Sequence, residues 1–493
     1  MDQEYEALII KNILSGKHLP LIGVNAGDTG LYLGPLFIYF AAIPYTLFSG
    51  NPLGGAITAS LIGVITSYFV YLIGKKMFNQ KVGLFAALFY SGSFLVSFYE
   101  RKFWNPTPIP LFSLLIGFML YELVKRKIKY LPWLALTFSL AVQCHLSILI
   151  FLPLMSYILW VRRRLITRKI FVISIIIFLV LQTPVIIFEL RHNFVNSRAL
   201  VNLVLDRKQE SASSSSLYER NSLFLSTLGR FFWTPLAPDL FLESGQCKEL
   251  SMYRKNAYPE GIILSLLGLG IFCWWYLNKR SRSYHPLRLN DDNFLSAKII
   301  IATFLLTLLF VEFYNRQIFE YYFLFLFPWL VIAFGWSVEF IWKKEHGKLI
   351  VVPVILLFLG LNIFTLFTAK TSYSYMDKLD ILKFVRQEIS GKRYSLEALG
   401  ECPRFGGYRY LFGYFVGQPS SSYMDSYFKW LYPEVKNNRL PNQVVLLSMI
   451  DSRDKAETIT KWEETKLQFL TSFNIEKEKR FGKIQVFILS SRK

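Results

Sequence analysis

Apolar runs of roughly 15 to 23 residues, the length that crosses a hydrocarbon core, recur along the chain at 55–73, 83–98, 107–124, 170–188, 259–276, 296–313, 319–341 and 348–368. Between 130 and 161 the run is too long for one helix and reads as two short helices hinged near "QCH". The pattern predicts about ten spans. One further segment, "GPLFIYFAAIPYTLF" at 34–48, holds Pro35 and Pro44 and many aromatics, which suits a helix lying in the plane of the interface. Ahead of it, Leu8, Ile9, Ile13 and Leu14 fall on one helical stripe that stops at Ser15-Gly16, a short amphipathic helix expected on the outer leaflet. From about 370 the chain turns polar. There "MDKLDILKFVRQEISG" reads as an amphipathic helix ending at Gly391, while "NQVVLLSMI" and "KIQVFILSS" read as buried strands.

The expected fold is mainly α: a polytopic membrane helical bundle with juxtamembrane helices and a small C-terminal α/β domain. Three parts follow: 1–54, a first external loop with two juxtamembrane helices; 55–369, the transmembrane core, including a long loop at 189–258 with a flexible tip at "SASSSS"; and 370–493, the α/β domain. Charge orients it. Five basic clusters, at 75–81, 125–129, 162–169, 279–288 and 343–348, are separated by an even number of predicted spans every time. The positive-inside rule puts all five in the cytoplasm. Residues 1–54, 99–108, the turn at His145, 189–258, the "YNRQ" turn and everything after 368 are then extracytoplasmic.

Composition agrees, with 53% hydrophobic and 18% charged residues. The excess of 55 Lys and Arg over 34 Asp and Glu is loop charge of a membrane protein rather than a nucleic-acid footprint. No nucleic-acid partner is expected. The four cysteines lack CxxC spacing, so no metal cluster is expected, and only a Cys247–Cys402 bridge is open to them. Nothing before residue 30 has the form of a signal peptide, and targeting is expected to come from the spans. The destination is a cell membrane, as a multi-pass protein.

Unusual polar residues collect on the external face. "MDQEYEALII" places Asp2, Glu4 and Glu6 at the start of the first helix, where a carboxylate at the mouth of a bundle can serve as a general base. "YERKFWNPTP" offers Glu100, Arg101, Trp104 and Asn105 between two spans, as anchors or as a loop that holds a polar substrate. His145 in "AVQCHLSIL" is polar within an apolar stretch, a functional suspect by default. "FELRH" gathers Glu189, Arg191 and His192 at a span end, where a guanidinium matches a phosphate. "YNRQIFEYY" adds Arg316, Glu320, Tyr321 and Tyr322, which singly are ordinary interfacial residues.

In joint order, "DQxxxAL", "YLGPL", "GNPLG", "GKKMFNQKVGLFAALFYSGSF", "WNP", "QCH" and "FELRH" resemble the bacterial family 39 glycosyltransferases of the GT-C superfamily, with the protein O-mannosyltransferases and lipid A aminoarabinose transferases. The likeness runs over roughly residues 2–340. It implies transfer of a sugar from a polyprenyl-phosphate donor to an acceptor protein, lipid or glycan at the outer face, without a cofactor. Asp2 matches the family's catalytic base. The family carries a transmembrane helix before that acid, so a further helix upstream of Met1 is expected. Its aminoarabinose transferases carry an acid and a lysine where this chain has Leu33 and Gly34.

The mechanism implied is in-line displacement with inversion: Asp2 deprotonates the acceptor, and Arg191 and His192, or next Arg101, ease the phosphate away. Glu189 would orient the arginine, and Trp104 or Tyr321 would stack on the sugar. The rival readings are a transporter or flippase, which would place charges near the midplane, and an inactive truncated homologue.

Overall fold

Inside hydrocarbon a backbone must satisfy its own N–H and C=O groups, so the apolar runs fold as helices. The structure, a computed structural model, describes residues 2–205, 215–234, 258–282, 292–314, 316–369, 375–389, 391–400, 406–425, 443–449 and 456–491; of Asp2 it describes the backbone alone. Two helices come first, α1 (Asp2–Leu14) and α2 (Leu36–Leu47). The bundle then runs through α3 (Pro52–Met77), α4 (Gln80–Gly92), α5 (Phe94–Glu100), α6 (Ile109–Val124), α7 (Leu131–Cys144), α8 (Leu152–Arg162) and α9 (Arg168–Arg191). It continues with α10 (Val195–Leu205), α11 (Leu217–Phe232), α12 (Pro259–Arg282), α13 (Asp292–Phe313), α14 (Phe327–Trp342) and α15 (Gly347–Thr368).

Among the described residues seven helical segments are long and apolar enough to cross a bilayer, or eight if α4 and α5, bent by 67°, count as one. The other two expected spans, α6 and α7, are helices of 16 and 14 residues, roughly 24 and 21 Å long at the α-helical rise. The chain is a multi-pass membrane protein with the hinge near "QCH" that its pattern predicts.

The bend at Ser93 has a visible cost and a visible remedy. Breaking a helix frees backbone donors, which must find partners at that depth. Phe94 N–H donates to the Asn362 side chain at 2.8 Å, and Asn362 donates in turn to the Phe232 carbonyl at 2.7 Å. Ser93 donates to the Phe231 carbonyl at 2.8 Å. The break is thus held between α11 and α15.

Basic helix ends pack with one another. Arg162 donates to the Val124 carbonyl at 2.6 Å, and Glu339 accepts from Asn79 at 3.3 Å and pairs with Lys343 at 2.5 Å. Ser296 donates to the Met77 carbonyl at 2.8 Å. These contacts bring the ends near 75–81, 125–129, 162–169, 292–296 and 339–343 together in pairs, as a common charged end requires.

The loop expected at 189–258 contains structure that the pattern did not suggest. Its Ser211–Ser214 tip lies outside the described residues, but Ser215 donates to the Arg316 carbonyl at 2.8 Å, and Ser216 forms a capping box with Glu219. What begins there is α11, a buried helix of the bundle rather than a flexible excursion. Cys247 and Cys402 also lie outside the described residues.

Beyond the bundle, α16 (Tyr375–Ile389), β1 (Tyr394–Leu399), α17 (Tyr408–Phe415), β2 (Gln443–Ser448), α18 (Ala456–Thr471), β3 (Phe473–Phe481) and β4 (Ile484–Ser491) build a small α/β unit. Its sheet has the order β1-β2-β4-β3, with β1 and β2 parallel and the other pairs antiparallel. Ile381, Leu382 and Val385 of α16 pack on Leu396, Val445 and Ile488. β2 is buried throughout, which is why its sequence reads as a continuous apolar run. β3, an edge strand with the sequence FNIEKEKRF, shields its open side with charge.

This unit sits on α1. Glu4 is buried, and its two carboxylate oxygens accept from the Gly407 and Tyr410 amides at 2.8 Å each, capping the N-terminus of α17. Such a capped contact changes the expectation for α1. Residues 6–10 are buried as well, whereas Leu14 is half exposed, so α1 is enclosed by α2 and α17 instead of floating on a leaflet by an amphipathic stripe. α2 does keep an outward apolar row, Phe40, Ile43 and Leu47, as an interfacial helix should.

Replacing Glu4 by Ala removes two charge-assisted bonds to otherwise orphaned amides, a loss of about 1.5 to 3 kcal/mol per bond before relaxation. Hydrogen exchange should show the Gly407 and Tyr410 amides opening faster, with β2 amides unchanged.

Candidate active site

Where the helices end opposite the basic clusters, four pieces of chain together with Leu200 of α10 enclose a cavity of about 550 Å³. The four pieces are the strap 24–33, the turn 104–106, the hinge 145–153 and the segment 306–325. Trp104, Asn105, His145, Tyr321 and Tyr322 all line it. Trp104 lies 4.8 Å from Tyr321 between ring centroids, and His145 lies 5.5 and 5.2 Å from Tyr321 and Tyr322. Leu306, Leu309, Phe310 and Phe313 of α13 line it as well.

Local chemistry explains each placement. α7 stops at Cys144, whose carbonyl accepts from Asn105 at 2.8 Å, pinning the "WNP" turn to the hinge. His145 then caps the 3-10 turn Leu146–Phe151: its Nδ1 accepts from Ser147 N–H at 3.2 Å, so the ring proton belongs on Nε2. Burial pushes this imidazole down to about 4, which keeps it neutral at physiological pH. The strap is held by Asn196, which accepts from Tyr32 N–H at 2.8 Å and donates to its carbonyl at 3.1 Å. Gly34 permits the close approach of α7, because a Cβ there would run into the Gln143 amide.

Tyr321 and Tyr322 are fixed by their neighbour. Glu320 begins the 3-10 turn Glu320–Leu326 and is buried. It accepts from Arg230 Nε at 2.8 Å, from a second nitrogen of the same guanidinium, and from Tyr99 Oη at 2.8 Å. Arg230, fully buried, comes from α11. Lys102 sits beside this group with its Nζ 3.9 Å from the Phe98 centroid and 4.9 Å from that of Tyr99. Burial pushes the Lys102 ammonium down to about 7, against the pull of Glu320, and the ring faces also favour the charged form. Sequence reading passed over Arg230. The signal that marks its helix is the "SLYE" capping box at 216–219, followed by apolar residues at helical spacing.

Other residues singled out in the sequence lie elsewhere. Glu100 turns inward against Gly63 of α3 and Tyr90 of α4, and does not line the cavity. Arg101, at the start of the turn that carries Trp104, faces a second hollow of about 300 Å³ together with Glu4, Phe103, Lys378 and Tyr410. Lys378 there is lowered by burial, offset by Glu4. The Asp2 side chain lies outside the described structure; its backbone opens α1, two residues ahead of Glu4. Glu189 does not orient Arg191. Its carboxylate accepts from the amides of Asn196 and Ser197 at 2.9 Å each and from Ser197 Oγ at 2.7 Å, capping α10. Arg191 and His192 are exposed, and His192 stacks on Phe188 at 4.2 Å, away from the cavity. Among the described residues no group of three or more His, Cys, Asp or Glu is placed to hold a metal ion.

Comparison with known proteins meets this geometry. Residues 33–188, from the strap to the end of α9, match the family model described as dolichyl-phosphate-mannose-protein mannosyltransferase. The whole chain has the fold of ArnT from Cupriavidus metallidurans, solved bound to undecaprenyl phosphate: the TM-score is 0.57 with 11% identity, over 99% of this chain and 93% of that one. The apo form of the same protein gives 0.56 and 10% over the same shares. An uncharacterised protein of Aquifex aeolicus (strain VF5) is 29% identical over 139 residues, 28% of each chain. The likeness expected from the motifs is met in part: residues 33–188 resemble a mannosyltransferase family, and the bundle as a whole has the ArnT fold.

Because Arg230 and Glu320 are buried together, removing either strands a charge, at a cost of about 3 to 5 kcal/mol, whereas replacing both by apolar residues is far milder. Arg230→Met and Glu320→Leu should each melt markedly lower in detergent, and the double variant should recover much of that loss.

Proposed function

We propose that the protein transfers a sugar from a polyprenyl-phosphate donor to an acceptor hydroxyl at the extracytoplasmic face of a cell membrane, with inversion. One observation carries this reading. The lining of the 550 Å³ cavity combines apolar side chains of α13, Leu306, Leu309, Phe310 and Phe313, with the aromatic and polar group Trp104, Asn105, His145, Tyr321 and Tyr322. That is the form an amphiphile requires: an isoprenoid against Leu306, Leu309 and Phe310, and a sugar against the aromatic faces.

The acceptor oxygen attacks the anomeric carbon, its proton passes to Asp2, and the bond from that carbon to the phosphate oxygen breaks, so polyprenyl phosphate leaves. Neutral His145 serves as a donor through Nε2–H and adds no charge. Departure of the phosphate needs a cation. Arg101 suits this task better than Arg191 and His192. It stands three residues before Trp104, on the one turn that touches both hollows, and near the start of α1. The sugar and the acceptor are set by groups around this turn. The basic helix ends, on the opposite side of the bundle, supply the orientation by the positive-inside rule.

Membranes carrying the protein should transfer radiolabel from a polyprenyl-phosphate sugar to an endogenous acceptor. Asp2→Asn should lower the rate by about 10² to 10⁴-fold, the range for a general base, with donor affinity retained. Trp104→Ala and Arg101→Ala should weaken donor binding, and Arg191→Ala should leave it unchanged. Equal transfer by Asp2→Asn would remove Asp2 from the chemistry.

A further inference from the structure

A third hollow adjoins the second, with Ala7, Tyr45 and Tyr410 lining both. The last turns of α1, the end of α2 and α17 enclose about 540 Å³, separate from the cavity at His145. Its lining includes three cations, Lys11, Lys17 and Arg409, and no carboxylate. Arg409 is partly engaged: its NH1 donates to Gln418 at 2.9 Å, and its Nε faces Asp425 at 3.4 Å. Lys11 has no such relief, and burial, then Arg409, then Lys17 lower its affinity for a proton. Like charges gathered in a recess raise the local potential, which an anion would lower.

The surroundings of this recess identify the anion's carrier. Leu14 on α1 and Leu47 on α2 are exposed to 51% and 75%, and Ile43 one turn earlier to 57%. Thr46 and Ser49, on either side of Leu47 and Phe48, line the recess itself. A cationic hollow with hydroxyl groups thus opens beside an apolar row on a helix that lies along the bundle. A free anion has no use for that row, but a lipid does. Its phosphodiester would sit at Lys11, Lys17 and Arg409 while its acyl chains cover Ile43, Leu47 and Leu14.

We propose that the groove between α1, α2 and α17 is a binding site for an anionic glycerophospholipid of the surrounding leaflet. The bound lipid would tie the C-terminal α/β unit to the membrane through Arg409. Neither the donor cavity nor Asp2 is involved, so this inference stands apart from the transfer reaction.

The test uses the full chain purified into nanodiscs of phosphatidylcholine with or without phosphatidylglycerol, followed by native mass spectrometry of retained lipid. The protein should retain phosphatidylglycerol in preference to phosphatidylcholine. Lys11→Gln with Lys17→Gln should weaken that retention about 30-fold, taking each basic side chain near an anionic lipid at its usual worth. Lys11→Arg with Lys17→Arg should restore it, which separates loss of charge from loss of fold. Lys125→Gln with Lys129→Gln, at the other end of the bundle, should have no effect. Inorganic phosphate at millimolar concentration should compete poorly. Equal retention of the two lipids, indifference to the double Gln variant, or full displacement by inorganic phosphate would each overturn the proposal.

Discussion

The buried pair of Arg230 and Glu320 is the contact around which the cavity is arranged. Glu320 receives a guanidinium from α11 and a phenol from α5, and is followed directly by Tyr321 and Tyr322. A pair of charges this deep adds little net stability, since desolvation cancels most of the attraction. What it contributes is register. The 3-10 turn Glu320–Leu326 has one rotation in which the carboxylate meets Arg230, and in that rotation the two tyrosines face Trp104 and His145.

At three described breaks in the bundle's helices and turns, side chains supply what the helix gives up. Asn362 serves the break at Ser93, His145 serves the break after α7, and Asn105 ties the turn between α5 and α6 to that second break. The first is stitched from a distant helix, and the break after α7 is held both by its own His145 and by Asn105 of a distant turn. The polar residues that look costly in an apolar sequence are in large part these stitches.

Much of the bundle was legible because hydrocarbon imposes a single rule on every span: length and apolarity suffice to find it. The hinge at "QCH" and the strands β2 and β4 were readable for the same reason, being continuous apolar runs. α11 was not, since an amphipathic helix with Arg220 and Arg230 buried inside a polar loop carries no span-like signal. β3 escaped because its charge guards an edge. At the site, Trp104, Asn105, His145, Tyr321 and Tyr322 were found as isolated oddities, and the structure gathers them in one cavity. In sequence Glu189 was set to orient Arg191 beside His192, but a carboxylate seven residues before an amide can cap a helix as readily as it can orient an arginine.

Glu4 adds a constraint of a different kind, on the order in which the protein comes into being. Its partners lie 403 and 406 residues downstream. During synthesis every span is made while that carboxylate still lacks the amides that will hold it. α1 is therefore locked by this contact only after α15 has been made. α1 gains this hold only once the chain has been made past Tyr410, so an unfinished chain already threaded through the membrane still lacks it.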